Sequence, residues 1–195
     1  GLFPSLLTSV QVLGAEKLLQ RARKSDSTQF LFYRALYEFH GQKFKEAWQR
    51  FKDTWALLHV EDWIHRRRVA VYLIALAMCH GMAPAPAFLQ KYGLQDDLGE
   101  LTRCLKQGNS VAFQQELNSR APALHRVNIY VFLLLNSEAA LHLNLIKRTW
   151  RLAGKPRILT FQQIFLVAGE RHQFASFDEL ECVLINLIGK VQKMG

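Results

Sequence analysis

RRRVAVYLIALAMCHGMAPAPAFLQKYGL, the stretch from Arg66 to Leu94, decides the fold class. It is apolar without interruption from Val69 to Cys79, well short of the roughly 18 residues needed to cross a bilayer. An apolar run of this length reads as a helix hydrophobic on all sides, which has to be covered by neighbours on several faces, as in the spine of a helical solenoid. Pro84 and Pro86 then allow a turn and a new helix start, and Gly93 closes the short helix that carries Phe88, Leu89 and Tyr92. The chain around this stretch is expected to be all-α.

Reading toward the N-terminus, residues 28 to 40 place Phe32, Ala35, Leu36 and Phe39 at three- and four-residue spacing before a break at Gly41. Beyond it, Phe44, Ala47, Phe51 and Trp55 form one stripe of alternating large and small side chains. Helix, glycine turn and helix, with a small residue between aromatics, resembles a tetratricopeptide unit. Residues 5 to 24 predict a further helix through Leu6, Val10 and Leu13, closing on Arg21, Arg23 and Lys24, where cations favour a helix C-terminus. Tyr33 and Tyr37 fall off the apolar stripe and are expected at the surface.

Toward the C-terminus, a helix over about 96 to 107 stops at Gly108, and Asn109 is placed to cap the next one. Pro122 opens a helix expected to run through Val127, Tyr130, Val131 and Leu134, followed by another over 138 to 152. After Gly154 and Pro156, the residues Arg157, Ile158 and Leu159 suggest a short edge strand. Thr160 with Gln163, and Ser176 with Glu179, have the spacing of capping boxes. The second opens a helix whose Leu180, Val183, Leu184, Leu187 and Ile188 make one apolar face. Helix, short strand, helix, helix is the opening of a winged helix without its closing wing. The expected division is therefore a helical-repeat array over residues 1–122 and a winged-helix-like subdomain over 123–195. A first residue of Gly rather than Met suggests that the chain begins inside a longer protein.

Half of the 195 residues are hydrophobic and the formal net charge is +9. Between 123 and 157, six Lys and Arg face only Glu138, and Lys147, Arg148, Arg151, Lys155 and Arg157 concentrate the excess. Such a field attracts phosphates or an acidic polypeptide. Cys79, Cys104 and Cys182 are far apart, odd in number and set in apolar helical patterns, as suits free thiols in a reducing compartment, cytosol or nucleus.

Catalytic patterns do not emerge. The sequence has no glycine-rich phosphate loop, no His-Glu-x-x-His, no Cys-x-x-Cys and no Gly-x-Ser-x-Gly. Cys79 and His80 are neighbours on a helix and point apart, so they do not form a nucleophile and base. Glu61 with His65, and Glu138 with His142, read as surface charge pairs, since zinc needs three or four converging ligands. Neither an enzyme, a metal nor a cofactor is expected.

The Arg66–Leu94 stretch resembles the central segment of the PCI-domain subunit of the nuclear-pore-associated transcription and mRNA export complex, and of its signalosome-associated relative. The matching residues are Arg67, Tyr72-Leu73-Ile74, Met78, Gly81, Pro84, Leu89, Lys91, Tyr92 and Leu94, continued by Leu101, Leu105, Gly108 and Asn109, and at the end by Glu179, Cys182, Asn186 and Leu187. The resemblance spans about residues 30 to 195. It implies a non-catalytic, nuclear subunit, at the nuclear pore or alternatively cytoplasmic. Such a subunit pairs with a second PCI-domain scaffold protein, engages a small acidic polypeptide and contributes a basic surface for RNA or DNA, with no membrane partner. Subunits of the signalosome, the proteasome lid or the translation initiation assembly are the alternative. On this reading Lys147, Arg148, Arg151, Lys155 and Arg157 are the candidate nucleic-acid residues. Phe177, Leu180 and Leu184 are expected near the surface that meets the PCI partner, because their helix is apolar on one face and lacks its wing.

Overall fold

The computed structural model describes residues 23–169 and 173–192, and every regular element among them is an α-helix. In order these are α1 (Lys24–His40), α2 (Phe44–Leu57), α3 (Trp63–Cys79), α4 (Pro86–Lys91), α5 (Gln95–Gln107), α6 (Ser110–Ser119), α7 (Ala121–Arg126), α8 (Tyr130–Asn136), α9 (Glu138–Leu152), α10 (Phe161–Gly169) and α11 (Phe177–Gln192). The helix expected over residues 5 to 24 lies, up to residue 22, outside the described residues, and Lys24 belongs to α1. Contacts divide the chain into two compact units, Gly1–Val69 and Ala70–Gly195, so the division falls inside α3; the sequence suggests one at 122.

In the first unit α1 and α2 form the expected hairpin. Ala35 and Ala47 are both fully buried, and small residues there let the helices approach. Phe51 stacks edge-on against Phe32 at 6.1 Å and Phe39 at 6.5 Å, a geometry that aromatic rings favour over a face-to-face sandwich. The turn is made differently from the expectation. Gly41 keeps a negative φ of −80°, and Gln42 takes the left-handed conformation at +60°. Lys43 N–H then donates to Glu38 O and Gln42 N–H to Phe39 O, which satisfies the carbonyls left open at the end of α1. At the far end of α2, Arg66 donates from Nε to His59 O and from Nη2 to Leu58 O, both at 2.9 Å. Its guanidinium also lies 4.6 Å from the centre of the Trp55 ring. One side chain thus closes α2 and fastens the start of α3.

In the second unit the apolar run is covered as its composition requires: Ala70, Val71, Tyr72, Ile74, Ala75, Leu76 and Met78 are all buried. Helices α5 and α6 pack together, and α9 packs against both. Asn109 caps α6 by accepting Ala112 N–H at 3.1 Å. The single helix expected after Pro122 is instead two, α7 and α8, because Asn128 adopts a φ of 54° and ends the first. Asparagine tolerates that left-handed conformation better than most residues. Inside α9, Asn144 Nδ2 donates to Leu105 O at 2.9 Å and to Gly81 O at 3.2 Å, tying the ends of α5 and α3 to the middle of α9.

Helices α9, α10 and α11 close around Leu145, Ile164, Ala168, Leu180 and Leu184. Both capping boxes form. Thr160 N–H donates to Gln163 Oε1 at 3.0 Å, and Gln163 N–H returns to Thr160 Oγ1 at 3.4 Å. Glu179 N–H donates to Ser176 Oγ at 3.2 Å, while the Glu179 carboxylate reaches one residue further back, to Ala175 N–H at 2.7 Å. The edge strand at Arg157–Ile158–Leu159 does not form: no strand is present among the described residues. A strand needs a paired neighbour, and here Gly154 and Lys155 turn at positive φ while Trp150 Nε1 donates to Pro156 O at 3.0 Å, folding the segment back onto the end of α9. Ile158 is left 77% exposed.

Candidate docking site on the C-terminal helices

Sequence periodicity places Leu180 and Leu184 on the apolar side of α11 and the structure agrees, but that side faces inward. Leu180 is 0% and Leu184 4% exposed, both within the core that joins α9, α10 and α11. Neither is at the surface where a partner was expected, because α10 and α9 already cover the stripe. Phe177 is different: it is 38% exposed and its ring meets Phe165 of α10 edge-on at 5.7 Å. Two residues not assigned to a site by sequence reasoning join it at the surface. Ile185 and Ile188 are 58% and 53% exposed, and offsets of eight and eleven from Phe177 bring all three to one side of the helix. Leu166 of α10, 70% exposed, is a further large apolar side chain in water. Ile188, one turn beyond buried Leu184, lies at the edge of the buried stripe, and Ile185 lies further round the helix. Sequence offered only the apolar residue types at 185 and 188, not their exposure.

The cations at the end of α9 form a separate surface. Lys147, Arg151, Lys155 and Arg157 are exposed and Arg148 half-buried, while Leu145 and Thr149 hold the opposite side of α9 in the core. Arg151 Nε donates to Lys147 O at 3.1 Å, laying its side chain along the helix. None of the five makes an ion pair among the described residues. Trp150, Leu152 and Ile158 are exposed among them. The ridge expected from sequence is therefore a mixed basic and apolar surface with uncompensated charge.

The candidate chemistry elsewhere resolves into structure. Burial pushes the Cys79 thiol up to about 12, so it stays protonated and unreactive near neutral pH. His65 pairs with Asp62 rather than with Glu61, its Nδ1 lying 2.7 Å from Oδ1, and this hydrogen bond holds the Asp62 carboxyl below its usual range. His142 is buried and lies against the Phe174 ring at 5.8 Å, so it is not a surface partner for Glu138. Among the described residues no group of three His, Cys, Asp or Glu is placed to hold a metal ion, and no helix is long and apolar enough to cross a membrane. Tyr33 and Tyr37 are 48% and 43% exposed, as expected.

No protein-family model matches the chain. Individual proteins do. The chain is 28% identical over 188 residues to the Protein CSN12 homolog of Gibberella zeae, an alignment covering 88% of this chain and 41% of that protein. It is 28% identical over 133 residues to the PCI domain-containing protein 2 homolog of Caenorhabditis briggsae, covering 67% and 31%. With the Protein CSN12 homolog of Neurospora crassa it shares 23% over 185 residues, covering 86% and 40%. The chain spans about two fifths or less of the length of these relatives. The relatives thus support a PCI-domain protein related to those named CSN12, and none of these three names refers to mRNA export.

Proposed function

We propose that this chain is the PCI-domain body of a non-catalytic scaffold subunit of the signalosome-associated kind, which docks a second PCI-domain protein through the outer side of α11. The observation that carries the reading is the pair Ile185 and Ile188, kept in water beside Phe177 along the edge of the stripe where Leu180 and Leu184 complete the core. Exposed apolar side chains on an otherwise packed helix mark interaction surfaces. The CSN12 names of two relatives favour the signalosome-associated assembly over mRNA export, the reading that the sequence resemblance led with. A reducing, nuclear setting suits the three free cysteines. The test is affinity purification with mass spectrometry of the wild type and of an Ile185→Glu/Ile188→Glu variant. A signalosome-type PCI partner should be recovered with the first and lost with the second, while circular dichroism stays unchanged. Recovery of lid, initiation or export subunits instead would assign the chain to another assembly, and undiminished recovery with the variant would move the docking surface off α11.

A second reading rests on the ridge, whose unpaired cations support contact with RNA or DNA in addition to scaffolding. Removing Lys147, Arg148 and Arg151 should then weaken binding about equally for unrelated sequences and flatten the log-log salt dependence by up to about three, because each phosphate contact releases counterion. An unchanged slope removes these three residues from any nucleic-acid site and leaves an acidic polypeptide as their partner.

A further inference from the structure

Thr160 ends the run Lys155-Pro156-Arg157-Ile158-Leu159-Thr160 that connects α9 to α10. Among the serines and threonines of the sequence it alone has an arginine three residues before it, and Ser27 alone has a lysine there. Ser27 is buried inside α1, whereas Thr160 is exposed. Arg157 and Lys155, three and five residues before Thr160, are exposed too, and neither makes an ion pair among the described residues. Phe161, the next residue, leaves 37% of its surface in water. The backbone of Arg157, Ile158 and Leu159 forms no hydrogen bond among the described residues. The anchors of the run lie before them, where Lys155 N–H donates to Trp150 O and Trp150 Nε1 donates to Pro156 O. The Thr160 hydroxyl accepts Gln163 N–H at 3.4 Å, a long and therefore weak hydrogen bond.

We infer that Thr160 is a phosphorylation site for a basophilic protein kinase, with ATP as the phosphoryl donor. Such a kinase draws a short extended segment into its groove, where carboxylates take the cations that precede the acceptor hydroxyl and an apolar pocket takes the residue after it. Lys155, Arg157 and Phe161 supply these features in register. A segment without backbone hydrogen bonds can be drawn out without breaking a helix or a sheet ladder. Residue types argue against other kinases. A proline-directed enzyme needs proline where Phe161 stands, and an acid-directed one needs carboxylates just beyond the hydroxyl, where Phe161, Gln162, Gln163 and Ile164 offer none. In the transfer, Thr160 Oγ1 attacks the γ-phosphorus of ATP and forms the new O–P bond. The bond from that phosphorus to the β,γ-bridging oxygen breaks, ADP leaves with its electron pair, and the hydroxyl proton passes to the catalytic aspartate of the kinase. The product brings a charge of about −1.5 to −2 at pH 7 into a stretch that holds Lys155 and Arg157, at the residue that already caps α10. Modification therefore offsets the positive charge at this end of the ridge and leaves the start of α10 with an anion, which the helix dipole favours. The inference does not depend on what the ridge binds.

The experiment incubates the whole folded chain with magnesium-ATP and the catalytic subunit of the cyclic-AMP-dependent protein kinase, a basophilic enzyme, and maps the product by tandem mass spectrometry. Thr160 should be the principal site. Arg157→Gln should lower kcat/KM for phosphorylation of Thr160 by about tenfold, and because Arg157 is exposed this exchange should leave the circular dichroism spectrum intact. Thr160→Val should abolish modification of this segment. Thr160→Ser keeps both the cap and a hydroxyl and should still be phosphorylated, which separates loss of the acceptor from loss of the fold. An acid-directed kinase should leave Thr160 unmodified. The inference is overturned if the phosphate goes chiefly to another residue, if Arg157→Gln is modified as fast as the wild type, or if Thr160 is modified only after heat has unfolded the chain. Equal modification of Thr160 by the acid-directed kinase would likewise sink it, since recognition would then owe nothing to Lys155 and Arg157.

Discussion

Gly108 and Leu145 meet so closely that no side chain fits between them: a Cβ on Gly108 would stand 2.5 Å from Leu145 Cα and 2.9 Å from the Asn144 carbonyl carbon. Gly108 also holds a φ of +64° at the end of α5, where its N–H donates to Leu105 O and that of Asn109 to Cys104 O. Conformation and space therefore demand glycine for separate reasons. Gly108→Ala combines a left-handed cost of about 1–2 kcal/mol with an overlap against backbone that cannot rotate away, of about 1–3 kcal/mol. A thermal melt should show a loss of about 2–5 kcal/mol, and a change under 0.5 kcal/mol would mean that α9 is not seated on the α5 end.

Asn144 predicts a second stability effect by a different route. Its side-chain amide serves two backbone carbonyls, Leu105 O and Gly81 O, from within the core. Asn144→Leu leaves both acceptors without this donor and should cost about 1–3 kcal/mol. Asn144→Asp should cost more, since a carboxylate has nothing to donate to either carbonyl. Equal denaturant midpoints for the two variants would show that the amide hydrogen bonds contribute little.

Arg66 separates charge from shape. Lysine keeps the charge but loses the planar fork that reaches Leu58 O and His59 O together and the flat face that lies over Trp55. Arg66→Lys is expected to recover less than half of the roughly 1–3 kcal/mol that Arg66→Ala costs. Full recovery would reduce the residue to a simple cation near a helix end.

The thiols give a pH test. Because burial raises Cys79 from 9.0 to about 12, its thiolate is scarce at pH 8, whereas Cys182 is exposed and Cys104 buried. A thiol-specific reagent at pH 8 should modify Cys182 quickly and Cys79 and Cys104 slowly, as read by peptide mass mapping. The linkage follows in sign: between about pH 9 and 12 the unfolded chain gives up the Cys79 proton while the folded chain keeps it, so Cys79 lowers stability as pH rises through that window. Below 9 it contributes no slope. A Cys79→Ser variant should lose this alkaline component, and an unaltered alkaline slope would mean that the thiol titrates freely when folded.

Much of the fold was legible because it is written locally. Asn109, Thr160 with Gln163 and Ser176 with Glu179 act on backbone groups within four residues of themselves, so spacing alone identifies them. Gln42 and Asn128 were less legible, since a left-handed helix end is available to many residues and the nearby Gly41 offered a stronger signal that the chain does not use. Arg157 to Leu159 failed as a strand because pairing is decided by a neighbour, which a three-residue pattern does not contain. The docking surface was half legible. Periodicity located the apolar side of α11, but which apolar residues remain in water depends on α9 and α10, and they cover Leu180 and Leu184 while leaving Ile185 and Ile188 outside. Asn144 gave no signal, because its two acceptors lie 39 and 63 residues away along the chain.

Helix α9 is pinned by Asn144 and Leu145 at one point and carries Lys147, Arg148 and Arg151 within the next two turns. Nothing between them can absorb a change of length. Each residue advances an α-helix by about 100° and 1.5 Å, so one residue inserted after Ile146 would swing the cations toward the side now occupied by Leu145 and Thr149 and bury charge in place of the core. Length variation among relatives should therefore collect in the turn after Leu152 and spare the interval from Asn144 to Arg151, a pattern of gaps that would record the constraint without any measurement on the folded protein.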